Sequence, residues 1–203
     1  MNLLTDGPKD GVPALVLAHG AGTGMDSPFM VQFAGLVAAG SIRVVRFEFP
    51  YMAARRTGSR RPPDREPALR RTWLEVIEAL GGGSNVVTGG KSMDGRIASM
   101  VADEAGVRGL VCLGYPSHPT GTPNNLRTAH LEGLRTPALF VQGERDPFGT
   151  RAEVQGYALS PAIRIEWLGD GDHSFKPRKA SGHTYEGHLH TAAAEAVAFV
   201  RAH

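Results

Sequence analysis

Short apolar runs alternate along this chain with segments in which apolar residues recur at helical spacing. Six runs are typical of strands buried on both faces, because parallel strands covered by helices are continuously hydrophobic. They lie at residues 14–18, 42–49, 86–88, 110–113, 138–142 and 163–168. The helical spacing predicts helices at residues 29–39, 68–80, 93–101, 150–158 and 192–202. Strands followed by helices indicate right-handed βαβ crossovers, and therefore an α/β fold with a mostly parallel sheet of about six strands and helices on both faces.

Length and composition indicate one soluble globular domain over residues 1–203. Hydrophobic residues make up 41% and charged residues 21% of the chain, which argues against disorder. The formal charge of +2 gives no indication of a nucleic-acid partner. The single cysteine, Cys112, cannot form an internal disulfide. Residues 1–13 lack the pattern of a secretory signal, and no segment approaches the ~18 consecutive apolar residues of a membrane span. We expect a cytoplasmic protein with no membrane partner.

One segment, NVVTGGKSMDGRIASM at residues 85–100, predicts a buried strand, a glycine-rich turn and a helix. The turn carries Ser92, which a sharp strand-to-helix connection would expose above the sheet beside free amides of the helix N-terminus. That position suits an acyl-transfer nucleophile. The alternative is that Ser92 only caps the helix.

The turn departs from the GxSxG pattern of a nucleophile elbow. Gly90 occupies the position two residues before Ser92, but Asp94 occupies the position two residues after it, and Gly95 follows one residue late. Asp94 adds bulk and negative charge near the place where an oxyanion would form. It would be screened if it pointed to water or paired with Lys91 or Arg96.

Two further loops after predicted strands carry chemistry-bearing residues. Asp146 lies in GERDPFG after the strand at 138–142, and His173 lies in GDGDHSF after the strand at 163–168. Reactive groups of parallel sheets cluster at the carboxyl ends of the strands. The chain order Ser92, Asp146, His173 is the order of an α/β hydrolase.

With these segments, the chain resembles an α/β-hydrolase-fold serine hydrolase, and within that fold the compact dienelactone-hydrolase-like group. The resemblance rests on LVLAHGAG, VVRFEFPYMAARRTGSRRPP, VVTGGKSMDGR, ALFVQGERDPFG and WLGDGDHSF, in this order. It implies a three-layer fold without a large cap domain. It also implies that His173 is the base for Ser92 and that Asp146 orients His173. The backbone N–H groups of Met93 and Ala21 would form the oxyanion hole.

Other residues near these loops are candidates for substrate binding. Loop 114–134 is long enough to border the site. The basic loop 52–67 is either a solvated surface or a region that recognises a carboxylate or phosphate. The candidates from these loops and from the HGAG segment are His19, Gly20, Gly22, Tyr115, His118, Arg55 and Arg56. The histidines in HxxxxHxH, at 183, 188 and 190, lack the accompanying ligands of a zinc site, so we expect no metal and no organic cofactor.

Two functions follow from the sequence. The first is a serine hydrolase that cleaves a small ester or thioester through an acyl-enzyme, with a small-molecule substrate as its partner. The alternative is a hydrolase-like protein-interaction module with weakened catalysis, which Asp94 favours. A homodimer remains open. The sequence identifies neither the acyl group nor the leaving group.

Overall fold

A seven-stranded sheet forms the centre of the computed structural model, which describes residues 2–58 and 61–203. Residues 59 and 60, in the basic loop, lie outside the described residues. The strands are β1 (Leu3–Asp6), β2 (Ala14–Ala18), β3 (Val44–Phe47), β4 (Val86–Lys91), β5 (Gly109–Leu113), β6 (Ala138–Gly143) and β7 (Ile163–Leu168). Their order across the sheet is β1-β3-β2-β4-β5-β6-β7. Only β1 is antiparallel to its neighbour, so the prediction of a mostly parallel sheet is confirmed.

The sequence predicts about six strands and the sheet has seven, because β1 was not predicted. This edge strand has only four residues, LLTD, and three of them are half-buried while one is exposed. So short a segment gives no continuous apolar run. It pairs with β3, with Leu3 opposite Phe47.

The described residues form six α-helices. They are α1 (Pro28–Ala39), α2 (Pro50–Arg55), α3 (Glu66–Ala79), α4 (Met93–Ala105), α5 (Arg151–Val154) and α6 (Tyr185–Ala202). Helix α2 occupies part of the region predicted as a basic loop. Strand β3 ends at Phe47, so the prediction that it runs to Phe49 and is ended by Pro50 was wrong. Pro50 instead begins α2, since proline is favoured at the first helical position.

The helix predictions differ from the structure by four residues or more at one bound in α4, α5 and α6, and α4 runs to Ala105, beyond the predicted residue 101. Helix α6 begins at Tyr185, well before residue 192, because the Thr184 side chain accepts a hydrogen bond from the Gly187 N–H and caps the added turns. Helix α5 ends at Val154, before the predicted residue 158. No described helix is long and apolar enough to cross a membrane.

The helices bury one hydrophobic core on each face of the sheet. Helices α1 and α6 cover one face with Phe33, Val37, Leu189 and Phe199. Helices α3 and α4 cover the other, where Trp73 packs edge-on against Phe47 at 4.7 Å. The inner strands are therefore buried on both sides, which leaves the strand ends and their loops as the accessible part of the sheet. Among the described residues there is no inserted cap domain above these ends.

Candidate active site

Three loops at the carboxyl ends of parallel strands bring Ser92, Asp146 and His173 together. Ser92 follows β4, Asp146 follows β6 and His173 follows β7. Strand β5 lies between β4 and β6, and its Leu113 carbonyl accepts a hydrogen bond from the Ser92 N–H at 3.0 Å. The sheet therefore fixes the spacing of the three loops.

Ser92 occupies a sharp turn between β4 and α4. Its φ of 55° and ψ of −127° are unusual for a residue other than glycine. The close approach in this turn is between Gly90 and Gly95, since a Cβ on Gly95 would lie 2.5 Å from the Gly90 carbonyl oxygen. The second small residue that the turn requires thus stands three positions after Ser92. The bulk of Asp94 does not obstruct the turn.

A chain of hydrogen bonds runs from Ser92 to Asp146 through His173. The Ser92 Oγ lies 2.8 Å from the His173 Nε2, and the His173 Nδ1 lies 2.7 Å from the Asp146 Oδ2. A carboxylate can only accept, so it assigns the imidazole proton to Nδ1 and leaves Nε2 free to accept the serine proton. This is the geometry of a nucleophile, its base and a residue that orients the base.

The Asp146 carboxylate is held by donors that the sequence analysis missed. Gln142 donates from Nε2 to Oδ2 at 3.0 Å, and the Phe148 N–H donates to Oδ1 at 2.9 Å. The Phe148 ring also packs 4.5 Å from the His173 ring. Asp146 is fully buried, whereas the His173 side chain remains 21% exposed. The only sequence signal for Gln142 is a polar residue near the end of the apolar strand β6.

Asp94 points into the protein beneath the loop that follows β2. Its side chain is fully buried, and Oδ2 accepts a hydrogen bond from the Gly20 N–H at 2.7 Å. The His19 Nδ1 lies 3.2 Å from the same oxygen. Burial raises the pKa of Asp94 to about 7, while the Gly20 N–H opposes this rise. Asp94 pairs with neither Lys91 nor Arg96, the two partners considered from sequence.

His19 is also buried and bridges two backbone segments. Its Nε2 accepts the Phe49 N–H at 3.3 Å, which places the ring proton on Nδ1, 2.6 Å from the Gly20 carbonyl oxygen. Burial lowers the pKa of His19, so the neutral form is favoured. His19 therefore shapes the loop. Ala21 and Gly22 follow in this loop, which lies beside the serine turn because β2 pairs with β4, with Ala18 opposite Gly90.

Lys91 lies on the other side of the serine turn. Its Nζ donates to the His173 carbonyl oxygen at 2.7 Å. The same nitrogen lies 5.8 Å from the ring centre of Phe29 and 5.7 Å from that of Phe175. Burial lowers the pKa of Lys91 to about 8. From the sequence, Lys91 was a candidate only as a partner for Asp94.

Four other candidates have structural contacts. Tyr115 is buried and donates from its hydroxyl to the Arg127 carbonyl oxygen at 2.9 Å. His118 is buried with Nδ1 2.8 Å from the Pro119 carbonyl oxygen. Arg56 forms ion pairs with Glu48 and Asp26, and Arg55 lies over the Tyr51 ring. The contact of these four residues with substrate stays a prediction.

The histidines of helix α6 and the loop before it do not assemble a metal site in the described structure. His183 and His188 have ring centres 5.2 Å apart. His188 Nδ1 lies 2.8 Å from the Phe175 carbonyl oxygen, and His190 Nδ1 lies 2.8 Å from the Glu186 carbonyl oxygen. Residues 2–58 and 61–203 contain no group of three His, Cys, Asp or Glu side chains placed to hold a metal ion.

Similar solved structures share this architecture. The dienelactone hydrolase from Anabaena variabilis has a TM-score of 0.73 and 17% identity, over 99% of this chain and 91% of that chain. A serine hydrolase homologue from Coxiella burnetii has a TM-score of 0.70 and 16% identity, over 97% and 90%. A serine hydrolase without a lid from Xanthomonas campestris has a TM-score of 0.64 and 15% identity, over 98% and 86%.

These identities establish similarity of fold alone. The pattern of the alpha/beta hydrolase domain family matches residues 11–201, which is nearly the whole chain and includes every loop described above. The predicted resemblance is therefore confirmed, and the chain belongs to the alpha/beta hydrolase family.

Proposed function

We propose that the protein is a serine hydrolase that cleaves a small ester or thioester through an acyl-enzyme intermediate. The observation that carries this proposal is the hydrogen-bond chain from Ser92 through His173 to Asp146. A serine hydroxyl is a poor nucleophile at neutral pH and needs a base within hydrogen-bonding reach. His173 meets that requirement at 2.8 Å.

In the first half of the reaction, the Ser92 Oγ attacks the carbonyl carbon while the His173 Nε2 takes its proton. The imidazolium that results is stabilised by the buried Asp146 carboxylate. His173 then gives the proton to the leaving alcohol or thiol, and the acyl group remains on Ser92. In the second half a water molecule attacks the acyl carbon while the His173 Nε2 takes its proton. The bond between that carbon and the Ser92 Oγ then breaks as His173 returns the proton to Oγ, which releases the acid and restores the free serine. No metal or organic cofactor takes part in this scheme.

The oxyanion of each tetrahedral intermediate would be bound by the N–H groups of Met93 and Ala21. Met93 is the first residue of α4, and the first amides of a helix have no acceptor within the helix. Ala21 is supplied by the loop that Asp94 and His19 hold beside the serine turn. One such donor typically contributes about 2.7–4 kcal/mol to transition-state stabilisation.

The open position of His173 supports small or exposed substrates. Its side chain is 21% exposed, and the described chain has no cap domain to enclose a long acyl group. The similarity to a dienelactone hydrolase and to a serine hydrolase without a lid agrees with this size class. Asp94 gives little support to the alternative of a weakened interaction module, because its carboxylate is engaged by the Gly20 N–H beneath the loop.

The proposal is tested by exposure of the purified protein to a fluorophosphonate probe, with intact mass as the readout. The wild type should gain one covalent adduct, and Ser92→Ala and His173→Ala should gain none. Ser99→Ala is a matched control. Ser99 also contacts a histidine, His130 Nε2 at 2.8 Å, but it is buried and its hydroxyl lies 2.6 Å from the Arg96 carbonyl oxygen. This variant should label like the wild type. A folded wild type that does not label would contradict the proposal.

A further inference from the structure

A pocket of about 280 Å³ is lined by Lys91 and Ser174, the residues next in sequence to Ser92 and His173. The loop after β2 and the start of α1 form one wall, with His19 and Phe29, and the loop after β7 forms the opposite wall, with Ser174 and Lys176. Lys91 and Tyr185 complete the lining. Ser92 and His173 are not themselves among the lining residues, but the Lys91 Nζ that lines the pocket donates to the His173 carbonyl oxygen. One end of a substrate can therefore occupy this pocket while its carbonyl lies at Ser92.

Lys91 brings a positive charge into this pocket with little compensation. An ammonium has three donors, and only the His173 carbonyl oxygen accepts from it among the described residues. No described carboxylate lies within 4.0 Å of its Nζ. By contrast, several arginines and histidines of the described structure do form ion pairs with carboxylates. The ring centres of Phe29 and Phe175 lie 5.8 and 5.7 Å from the same nitrogen.

The partial burial of the Lys91 ammonium has an energetic cost. Removal of an ammonium from water costs several kcal/mol unless a charge partner and hydrogen-bond acceptors replace the solvent. Burial is the main cause that lowers the pKa of Lys91 to about 8, and the negative charges of Asp146 and Asp172 only partly oppose it. At pH 7 the protonated form still predominates. Lys91 is therefore a cation with donors available for an acceptor that enters from the pocket.

We propose that the pocket binds a carboxylate carried by the substrate, with Lys91 as its charge partner. This inference rests on the proposed hydrolase function and names its substrate class: an ester or thioester of a short acyl chain that ends in a carboxylate. Lys176, at the exposed rim, adds a second positive charge. The Phe29 and Tyr185 rings form apolar walls for the carbons between the carboxylate and the scissile carbonyl.

A purely structural role for Lys91 explains less. A contact with the His173 carbonyl oxygen needs only one donor, which a neutral side chain could supply without a desolvated charge. Arg56 of the basic loop, which the sequence left open as a ligand for a carboxylate or phosphate, is paired with Glu48 and Asp26. Lys91 directly precedes the proposed nucleophile and contacts the backbone carbonyl of the proposed base.

Binding is tested first, on the Ser92→Ala variant at pH 7, with monomethyl adipate and dimethyl adipate as probes in isothermal titration calorimetry. The two probes differ in one negative charge. The monoanion should bind at least tenfold more tightly, and the difference should disappear when Lys91→Met is added. In the Ser92→Ala protein, the difference in affinity between the two probes should also become smaller at pH 9.5, where Lys91 has lost its proton while the monoanionic probe stays charged. Equal binding of the two probes at pH 7 would overturn the proposal.

Turnover gives the second readout. The wild type should hydrolyse mono-4-nitrophenyl adipate with a kcat/KM at least tenfold above that for its methyl ester, after subtraction of the uncatalysed rate. Lys91→Met and Lys91→Gln should reduce this ratio about tenfold, whatever they do to both rates through the His173 loop. Lys179→Gln is the matched control, because Lys179 is an exposed lysine outside the pocket, and it should keep the wild-type ratio. An unchanged ratio of the two kcat/KM values in both Lys91 variants would contradict the proposal that Lys91 binds the carboxylate of the substrate.

The two proposals fail in different ways. Labelling of Ser92 by a fluorophosphonate without a preference for the monoanion would remove the carboxylate pocket and leave the hydrolase intact. Tight binding of the monoanion without labelling would remove the hydrolase and leave a carboxylate site. Lys91→Met could fail to fold, as judged by circular dichroism. In that case the Ser92→Ala protein provides the test, because its preference for the monoanion over the diester should be lost between pH 7 and pH 9.5.

Discussion

The carboxylate of Asp94 accepts a hydrogen bond from the Gly20 N–H at 2.7 Å and so joins the first turn of α4 to the loop after β2. Both segments flank the proposed oxyanion hole, since Met93 precedes Asp94 and Ala21 follows Gly20. The residue that departs from the GxSxG pattern is thus a link between the two proposed oxyanion donors. This link gives Asp94 a positioning role.

We expect Asp94→Ala to lower kcat by about tenfold with a smaller change in KM, because a loosened loop misplaces one donor that acts mainly in the transition state. Asp94→Asn keeps a carbonyl oxygen for the Gly20 N–H and should retain activity within a fewfold of the wild type. Glu104→Ala is the control on the same helix, since Glu104 forms only an exposed ion pair with Arg70. Equal losses in the Ala and Asn variants would show that the charge, and not the hydrogen bond, matters.

The raised pKa of Asp94 predicts a loss of stability with rising pH. Burial raises the folded-state pKa from 3.8 to about 7, so the folded protein binds this proton more tightly than the unfolded chain does. The contribution is fully present below pH 3.8 and is lost as pH rises through about 7. By linkage the loss amounts to roughly 4 kcal/mol or less.

Urea denaturation at pH 4.5 and pH 7.5 measures this effect against Asp94→Asn. The wild type should lose stability relative to the variant over this interval. His19, which faces Asp94 and whose pKa is lowered by burial, is present in both proteins, so its own titration largely cancels in the difference. A constant difference between the two proteins would show that Asp94 does not titrate in this range.

The sequence was informative about the three residues of the hydrogen-bond chain for a physical reason. Ser92, Asp146 and His173 each follow a buried strand, and parallel strands deliver their carboxyl ends to one edge of the sheet. The partner of Asp94 was not predictable in this way. Gly20 is 74 positions away, and the contact depends on the direction in which a side chain leaves the helix. The burial of Tyr115 and His118 could not be predicted either. In a long loop without periodicity, the sequence pattern of buried polar residues is the same as that of exposed polar residues.

Gln142 supports the orientation of the base through Asp146. We expect Gln142→Glu to place a second carboxylate about 3 Å from Asp146, so that the two groups share a proton. The acidic limb of the kcat/KM profile should move to higher pH, and kcat at pH 6.5 should fall at least tenfold. Gln155→Glu, on the exposed end of α5, is the matched control and should keep the wild-type profile. A lower rate without a displaced limb would indicate only a structural role for Gln142.

The serine turn depends on the contact between Gly90 and Gly95, and a pair of glycine substitutions can test this. A Cβ on Gly95 would lie 2.5 Å from the Gly90 carbonyl oxygen, a backbone atom that cannot move without displacing Ser92. We expect Gly95→Ala to reduce the free energy of unfolding by about 1–3 kcal/mol and to slow fluorophosphonate labelling. Gly35, also in a helix, has no atom within 4 Å of an added Cβ, so Gly35→Ala should stabilise the protein by about 0.5–1 kcal/mol. If Gly95→Ala and Gly35→Ala were equally stable, the close approach to the Gly90 carbonyl oxygen would not be the reason for glycine at position 95. The departure of this turn from the GxSxG pattern would then have to be explained by Asp94 alone.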